Sequence, residues 1–310
     1  MPAGPRTRVS PASSGSERRR DMRTTIERIR AMRDAGERFA MVTAYDYTSA
    51  RLVERSAVET ILVGDSVGMV VQGHDSTLPV TLDDMIYHTR MVARGASRPL
   101  IVADLPFGTY AIEDDAVRAA TRLMAEGGCQ SVKLEGGVAQ ASTIRRLVEI
   151  GIPVLAHIGF TPQSVHALGV RVQGRGRDQA RRVLRDALAV QAAGAWGVVL
   201  ELVPAQLAAA ITARLDIPTV GIGAGAGCDG QVQVWHDLLG LYEDFVPRHA
   251  RRFRSLGGET VAALDEYAAA VRDGSFPAAS NASSWDAAEV AAALEGVDDL
   301  GGVDGSEGLG

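Results

Sequence analysis

The sequence predicts an α/β fold of the (β/α)8 barrel (TIM barrel) type in a single domain, and three observations carry that prediction. Short apolar, often β-branched runs alternate with longer segments of helical periodicity, the pattern of a parallel sheet with crossover helices. Seven such runs are clear and an eighth is placed at Gln231–Val234. Seven or eight strand–helix units in about 230 residues favour a closed barrel over an open doubly wound sheet. Finally, four of the runs end in a carboxylate, at Asp65, Asp104, Glu135 and Glu201. Strand C-termini of a barrel converge on one face, where active sites are built.

Taken in order, residues 1–22 are rich in Pro, Ser and Gly and read as a disordered head. The Arg18-Arg19-Arg20 run within it reads as a solvated terminus rather than a binding arm. Thr24-Thr25 offers an N-cap, and Ile26, Ile29 and Met32 share one helical face until Gly36. Strands are then expected at 39–44, 60–64, 100–104, 131–135, 153–157, 197–202 and 218–222, with helices over 46–56, 82–95, 113–127, 140–150, 178–193 and 204–214. Gly95, Gly127-Gly128, Gly151 and Gly194 serve as stop signals. Residues 229–273 read as further helix, including the basic Arg248–Arg254 segment, so the catalytic barrel is bounded at 23–273. Residues 274–310 form an acidic Gly/Ala-rich tail, expected to be largely disordered apart from one helix at Trp285–Leu294 capped by Ser283 or Ser284.

At 310 residues, 46% hydrophobic and 23% charged, the chain suits a globular protein with a large core. No apolar run approaches the roughly 18 residues of a membrane span, and the N-terminus lacks the apolar stretch of a secretory signal. Cys129 and Cys228 make no disulfide framework, so the expected location is the reducing cytoplasm. The formal net charge is −6, but residues 282–310 hold seven acidic residues and no Lys or Arg. Residues 1–281 therefore carry +1 and show no basic footprint for nucleic acid.

The strand-end residues describe one oxygen-lined cation site. Asp65 and Asp104 follow their strands directly, and Lys133 and Glu135, two apart, share a face. That face is the barrel interior or mouth, since Val132 and Leu134 would pack outward against helices. Lys133 and Glu135 alone are also compatible with a structural ion pair. With Asp65 and Asp104 added, three carboxylates and one ammonium are unbalanced without a cation, and all-oxygen ligands favour a hard ion such as Mg2+. Glu201 closes an apolar run before Pro204, a setting for proton transfer or, more simply, for capping the next helix. His157 ends the fifth strand as a substrate contact or a satisfied structural histidine, and Ser66 is placed to donate to a carboxylate substrate. His88 in a helix and His249 in the basic helix read as structural or exposed, while His74 and His236 fall in loops. The Gly221–Gly227 run suggests a phosphate-binding loop, weakly, and Gln72–Pro79 a loop at the barrel mouth.

Several strings resemble the ketopantoate hydroxymethyltransferase family: Val63-Gly-Asp-Ser66, Val71-Gln-Gly-His-Asp-Ser-Thr-Leu-Pro-Val80, Ala103-Asp-Leu-Pro-Phe107, Val132-Lys-Leu-Glu-Gly-Gly137, Ala156-His-Ile-Gly-Phe-Thr-Pro-Gln-Ser164 and Gly221-Ile-Gly-Ala-Gly225. They run in the family's order over residues 23 to about 273. The resemblance implies a barrel of the phosphoenolpyruvate-mutase-like group. It also implies transfer of a hydroxymethyl unit from 5,10-methylenetetrahydrofolate to 3-methyl-2-oxobutanoate through a Mg2+-stabilised enolate, giving 2-dehydropantoate for pantothenate synthesis. It assigns Asp65, Asp104 and Glu135 to one Mg2+ per subunit, Asp65, Ser66, Asp104, Lys133 and His157 to the oxoacid, and Glu201 to proton acceptance. It further implies a cytoplasmic homo-oligomer, commonly a decamer. Two departures stand out: the segment Ala167–Arg171 is a residue short and lacks the family's aromatic, and the acidic tail replaces a short ending. The competing readings are another Mg2+-dependent 2-oxoacid carbon–carbon lyase or mutase, a non-catalytic oligomeric scaffold, and a phosphate-binding module.

Overall fold

The computed structural model describes residues 22–242 and 246–296. It resolves into two compact units, Met1–Ser255 and Leu256–Gly310. The sequence-expected head at 1–22 lies outside the described residues except for Met22.

The first unit is a closed barrel of eight parallel strands in sequence order. They are β1 (Phe39–Thr43), β2 (Thr60–Val63), β3 (Leu100–Asp104), β4 (Ser131–Glu135), β5 (Val154–Gly159), β6 (Gly197–Glu201), β7 (Thr219–Ile222) and β8 (Gly230–Gln233), and β8 closes on β1. All eight expected strands are present. They were legible because a barrel strand is covered on both faces and so reads as a near-continuous apolar run. Alternation then sorts the side chains. Leu100 and Val102 of β3, Leu155 of β5 and Val199 of β6 fill the interior together with Phe39, Met41 and Val220. Their neighbours Ile101, Ala103, Val132, Leu134, Ala156 and Leu200 point outward into the layer beneath the helices. Each such side chain contributes about 1.5–3 kcal/mol by leaving water.

Helix α1 (Ile26–Asp34) is capped by Thr25, whose Oγ1 accepts from the Arg28 N–H at 3.2 Å. Its buried Ile29 and Met32 join the interior cluster and seal the N-terminal end of the barrel. Near that end the Trp196 indole donates to Ser131 Oγ at 2.8 Å, which satisfies its one polar atom. The expected helices are found as α2 (Tyr47–Glu54), α4 (Leu82–Gly95), α5 (Glu113–Arg122), α6 (Ala141–Glu149), α8 (Arg177–Ala192) and α9 (Ala205–Thr212). Helix α5 runs on through a π-helical turn, Leu123–Gly127, ended by left-handed Gly128. Two one-turn helices were not anticipated: α3 (Val67–Val70) and α7 (Val165–Leu168), each after a site-bearing strand.

The reading of 229–273 as helix is corrected. After β8 comes only a short helix, α10 (Trp235–Leu239), which holds His236 and ends at left-handed Gly240. Residues 246–255 are non-helical, so His249 lies in no helix; Pro247 disfavours helix at the residue before it. Helix α11 (Leu256–Asp273), placed with the barrel by sequence, belongs to the second unit. That unit also contains helix α12 (Ala287–Leu294), capped by Asp286, which accepts from the Ala288 and Glu289 N–H groups, rather than by a serine. The last ten residues lie outside the described residues.

Candidate active site

The barrel brings Asp65, Ser66, Asp104, Lys133, Glu135, His157 and Glu201 to one mouth. Pairing explains their proximity: Asp104 lies in register with Lys133, Glu135 with His157, and Gly159 with Glu201. Asp65, Asp104, Lys133, Glu135 and His157 are all buried. Glu201 keeps 14% of its side chain exposed, so it stands nearest to solvent among the ionisable groups linked here. After β2, a Cβ on Gly64 would sit 2.8 Å from Ser66 Oγ and displace that hydroxyl.

Four contacts define the electrostatics. Lys133 Nζ lies 3.1 Å from Asp104 Oδ1. The other Asp104 oxygen accepts from the Asp65 backbone N–H at 3.1 Å. His157 spans two carboxylates, with Nδ1 3.4 Å from Glu135 and Nε2 3.2 Å from Glu201. Burial, followed by the charge of Asp104, pushes the Asp65 carboxyl up to about 8. Burial likewise raises Asp104, against the pull of Lys133. Burial opposes the Lys133 charge, but Asp104, Glu135 and Asp65 together hold the ammonium above its ordinary range. For His157, burial and Lys133 oppose protonation, yet Glu135 and Glu201 prevail and raise it to about 9. The imidazolium in return overcomes the burial of Glu135 and holds that carboxyl below its usual range.

Reasoning from sequence missed three residues. Gln163, in a 3-10 turn (Pro162–Ser164) after β5, donates its backbone N–H to Glu135 Oε2 at 3.0 Å and its amide to Asp65 Oδ2 at 2.7 Å. Tyr110 donates to the Gln163 carbonyl oxygen. Tyr45 bonds Ser66 Oγ at 2.9 Å, and its backbone carbonyl lies 2.6 Å from His88 Nδ1. Gln163 lies inside a motif string, but amides and phenols carry no spacing that marks them as site residues. His236 stacks against Tyr45 with ring centroids 5.6 Å apart, whereas His74 is exposed.

The Gly221–Gly227 run has a packing explanation. Gly225 has φ of +77°, and a Cβ on it would lie 2.4 Å from Ala205 Cβ of α9. The glycines let this loop lie directly on that helix. On the other side of Glu201, Leu202 takes the left-handed conformation, φ 48°, uncommon for a branched side chain. The turn is held by Leu202 N–H to Ile222 carbonyl at 2.9 Å and by Gln173 N–H to the Leu202 carbonyl at 2.8 Å. The departing Ala167–Arg171 segment therefore runs into a loop tied beside Glu201.

Among the described residues, no group of three His, Cys, Asp or Glu side chains is already set as an ion cage. Asp65 and Glu135 are joined through Gln163, and Asp104 is drawn to Lys133. The donor set nonetheless fits a hard cation. Four carboxylates, Asp65, Asp104, Glu135 and Glu201, face only two cationic side chains, Lys133 and His157, at this mouth, and a hard cation would complete the balance.

The profile of the ketopantoate hydroxymethyltransferase family matches residues 23–279. The 3-methyl-2-oxobutanoate hydroxymethyltransferase of Chloroflexus aggregans is 64% identical over 273 residues, covering 88% of this chain and 98% of the relative. The protein of the same name from Gluconacetobacter diazotrophicus is 58% identical over 273 residues, covering 88% and 99%. Among solved structures, phosphonopyruvate hydrolase in complex with oxalate and Mg++ aligns with a TM-score of 0.55 at 14% identity, over 90% of this chain and 97% of that one. A 2,3-dimethylmalate lyase aligns with a TM-score of 0.54 at 17% identity, over 91% and 100%. These two establish a shared fold; the lyase is described as a member of the PEP mutase/isocitrate lyase superfamily.

Proposed function

Since this chain belongs to the ketopantoate hydroxymethyltransferase family, we propose that it forms ketopantoate by moving a hydroxymethyl group from 5,10-methylenetetrahydrofolate to 3-methyl-2-oxobutanoate at the mouth just described. The observation that carries the residue assignments is the chain of contacts from Asp104 through Lys133 and from Glu135 through His157 to Glu201. Buried carboxylates stand at one end and a solvent-facing carboxylate at the other.

Asp65, Asp104 and Glu135 would hold one Mg2+ per subunit. When bound, the ion supplies Lewis-acid polarisation of the oxoacid carbonyl. The remaining work falls to side chains. Lys133 places a fixed ammonium beside the oxygen on which negative charge develops, and its setting requires no reorganisation during reaction. Ser66, oriented by Tyr45, donates toward the substrate carboxylate. Glu201 accepts the C3 proton; His157 fixes its orientation and, being itself held protonated, cannot compete as the base. The carbanion equivalent at C3 then bonds to the methylene carbon, brought in from the solvent side, as one of its two carbon–nitrogen bonds breaks; water replaces the second nitrogen and supplies the hydroxyl, and tetrahydrofolate leaves. Support for that direction of approach comes from the loop before Gln173, which is tied to the backbone beside Glu201.

The same reading takes residues 23–273 as catalytic, with the head and acidic tail as extensions, and the assembly as a cytoplasmic homo-oligomer, a decamer by family. Two buried free cysteines support the location. The test is exchange of the C3 proton of 3-methyl-2-oxobutanoate for deuterium, followed by NMR with and without Mg2+ and then with methylenetetrahydrofolate. Metal-dependent exchange followed by dehydropantoate is the expected result. Exchange without product would remove the folate assignment, and absence of exchange with any divalent ion would remove the enolising site.

A further inference from the structure

We propose that Gln163 is a positioning residue that sets the Asp65 and Glu135 carboxylates for the divalent cation, and that Tyr110 fixes Gln163 in turn. The inference rests on the assignment of Asp65, Asp104 and Glu135 as cation ligands. Gln163 is buried, and every polar group of its side chain is engaged. One amide proton goes to Asp65 Oδ2 at 2.7 Å and the other to the Leu105 carbonyl at 3.0 Å. Its carbonyl oxygen accepts from the Tyr110 hydroxyl. Rotating the amide by half a turn would set that oxygen against a carboxylate and a carbonyl, so only one orientation is permitted. The backbone N–H of the same residue holds Glu135 Oε2 at 3.0 Å. A single residue thus grips two of the three ligands, one by its main chain and one by its side chain.

The consequence concerns which oxygens are offered. Asp65 Oδ2 and Glu135 Oε2 are taken by Gln163, and Asp104 Oδ2 by the Asp65 N–H. One oxygen of each carboxylate is therefore committed to a protein donor. The other oxygens face the cationic side chains, Asp104 Oδ1 at 3.1 Å from Lys133 Nζ and Glu135 Oε1 at 3.4 Å from His157 Nδ1, neither in an aligned hydrogen bond. The cation meets carboxylates already turned to present one oxygen each, rather than groups free to rotate or chelate through both. Partners of this kind typically account for about 10–100-fold in metal affinity.

The experiment titrates the full-length protein with Mn2+, read by electron paramagnetic resonance, alongside melting curves of the metal-free protein. Gln163→Met keeps the backbone donor and the side-chain length but removes the side-chain bonds; its Mn2+ dissociation constant is expected to rise about 10–100-fold. Tyr110→Phe should give a smaller rise, about 10-fold or less. The double variant should bind no worse than Gln163→Met alone, because the phenol acts only through the amide. Unchanged Mn2+ affinity in Gln163→Met, with or without a lower melting temperature, would make Gln163 merely structural and overturn the proposal. Fully additive losses would overturn the role given to Tyr110. Should Gln163→Met fail to fold, Tyr110→Phe alone carries the test, and unchanged affinity in it refutes the linkage. An unaltered protein that binds no Mn2+ would remove the cation assignment itself, and this inference with it.

Discussion

Replacing Asp104 with Asn keeps shape and the acceptor for the Asp65 N–H but removes the charge 3.1 Å from Lys133 Nζ. With an effective dielectric near 20, that attraction is worth about 5 kcal/mol. Two effects offset part of the loss. Asp65 and Glu135 still attract the ammonium, and Asp65 is relieved of the repulsion that helps raise it. Stranding one member of a buried pair costs about 3–5 kcal/mol in general, and the offsets place Asp104→Asn at or below the lower end. At about 2–4 °C per kcal/mol for a unit of this size, the metal-free melting temperature should fall by roughly 6–12 °C. Turnover should fall at least about 1,000-fold, the value of several kcal/mol of charge stabilisation. Scanning calorimetry of the metal-free protein and a Mg2+ titration of Asp104→Asn measure both effects. A melting temperature within about 2 °C of the parent, with Mg2+ still binding normally, would refute the view that Asp104 both neutralises Lys133 and holds the cation.

Other expectations are independent of that one. Glu201→Gln should lower kcat by about 100- to 10,000-fold while leaving Mg2+ affinity nearly unchanged; turnover equal to the parent would strip Glu201 of proton transfer. Asp65 and His157 both bind protons more tightly folded than unfolded, with pKa values raised to about 8 and about 9. Each therefore contributes stability at low pH that is lost as pH rises toward those values, by at most about 1.4 kcal/mol per pH unit per group. The urea midpoint of metal-free protein should fall between about pH 5 and 9, and Mg2+ should restore it progressively as pH rises; a midpoint that climbs with pH contradicts the site electrostatics. Gly225→Ala adds a methyl 2.4 Å from Ala205 Cβ at a positive φ, costing about 2–4 kcal/mol in denaturant melts. A neutral Gly225→Ala would return the glycine run to the phosphate-loop reading.

The barrel strands were legible because burial on both faces leaves little room for polar residues except at the ends, where Asp65, Asp104, Glu135 and Glu201 stand out against apolar runs. The same logic located Lys133, two residues from Glu135 on an inward face. Gln163 and Tyr110 gain their meaning from a turn folding back over β4, a contact between residues 53 positions apart, and no local periodicity records it. The segment after β8 looked helical because its composition suits helix, yet left-handed Gly240 and Pro247 interrupt it. The glycines of 221–227 weakly suggested a ligand cradle, and two of them, Gly225 and Gly227, are clearance for α9. Their composition is the same in both cases, and only the neighbouring Ala205 distinguishes them.

The side chains that fill the barrel interior, with Ile29 and Met32 beneath them, leave the mouth as the way in to Lys133. A molecule seated against Lys133 must have passed Glu201 on the way in, and anything arriving later stands between it and the exit. Traffic through such a mouth is last in, first out. The small oxoacid has to enter before the bulky one-carbon donor, and the spent donor has to leave before the lengthened product can follow. On the proposed function a sequential, ordered kinetic scheme is therefore expected, set by the packed interior beneath the site.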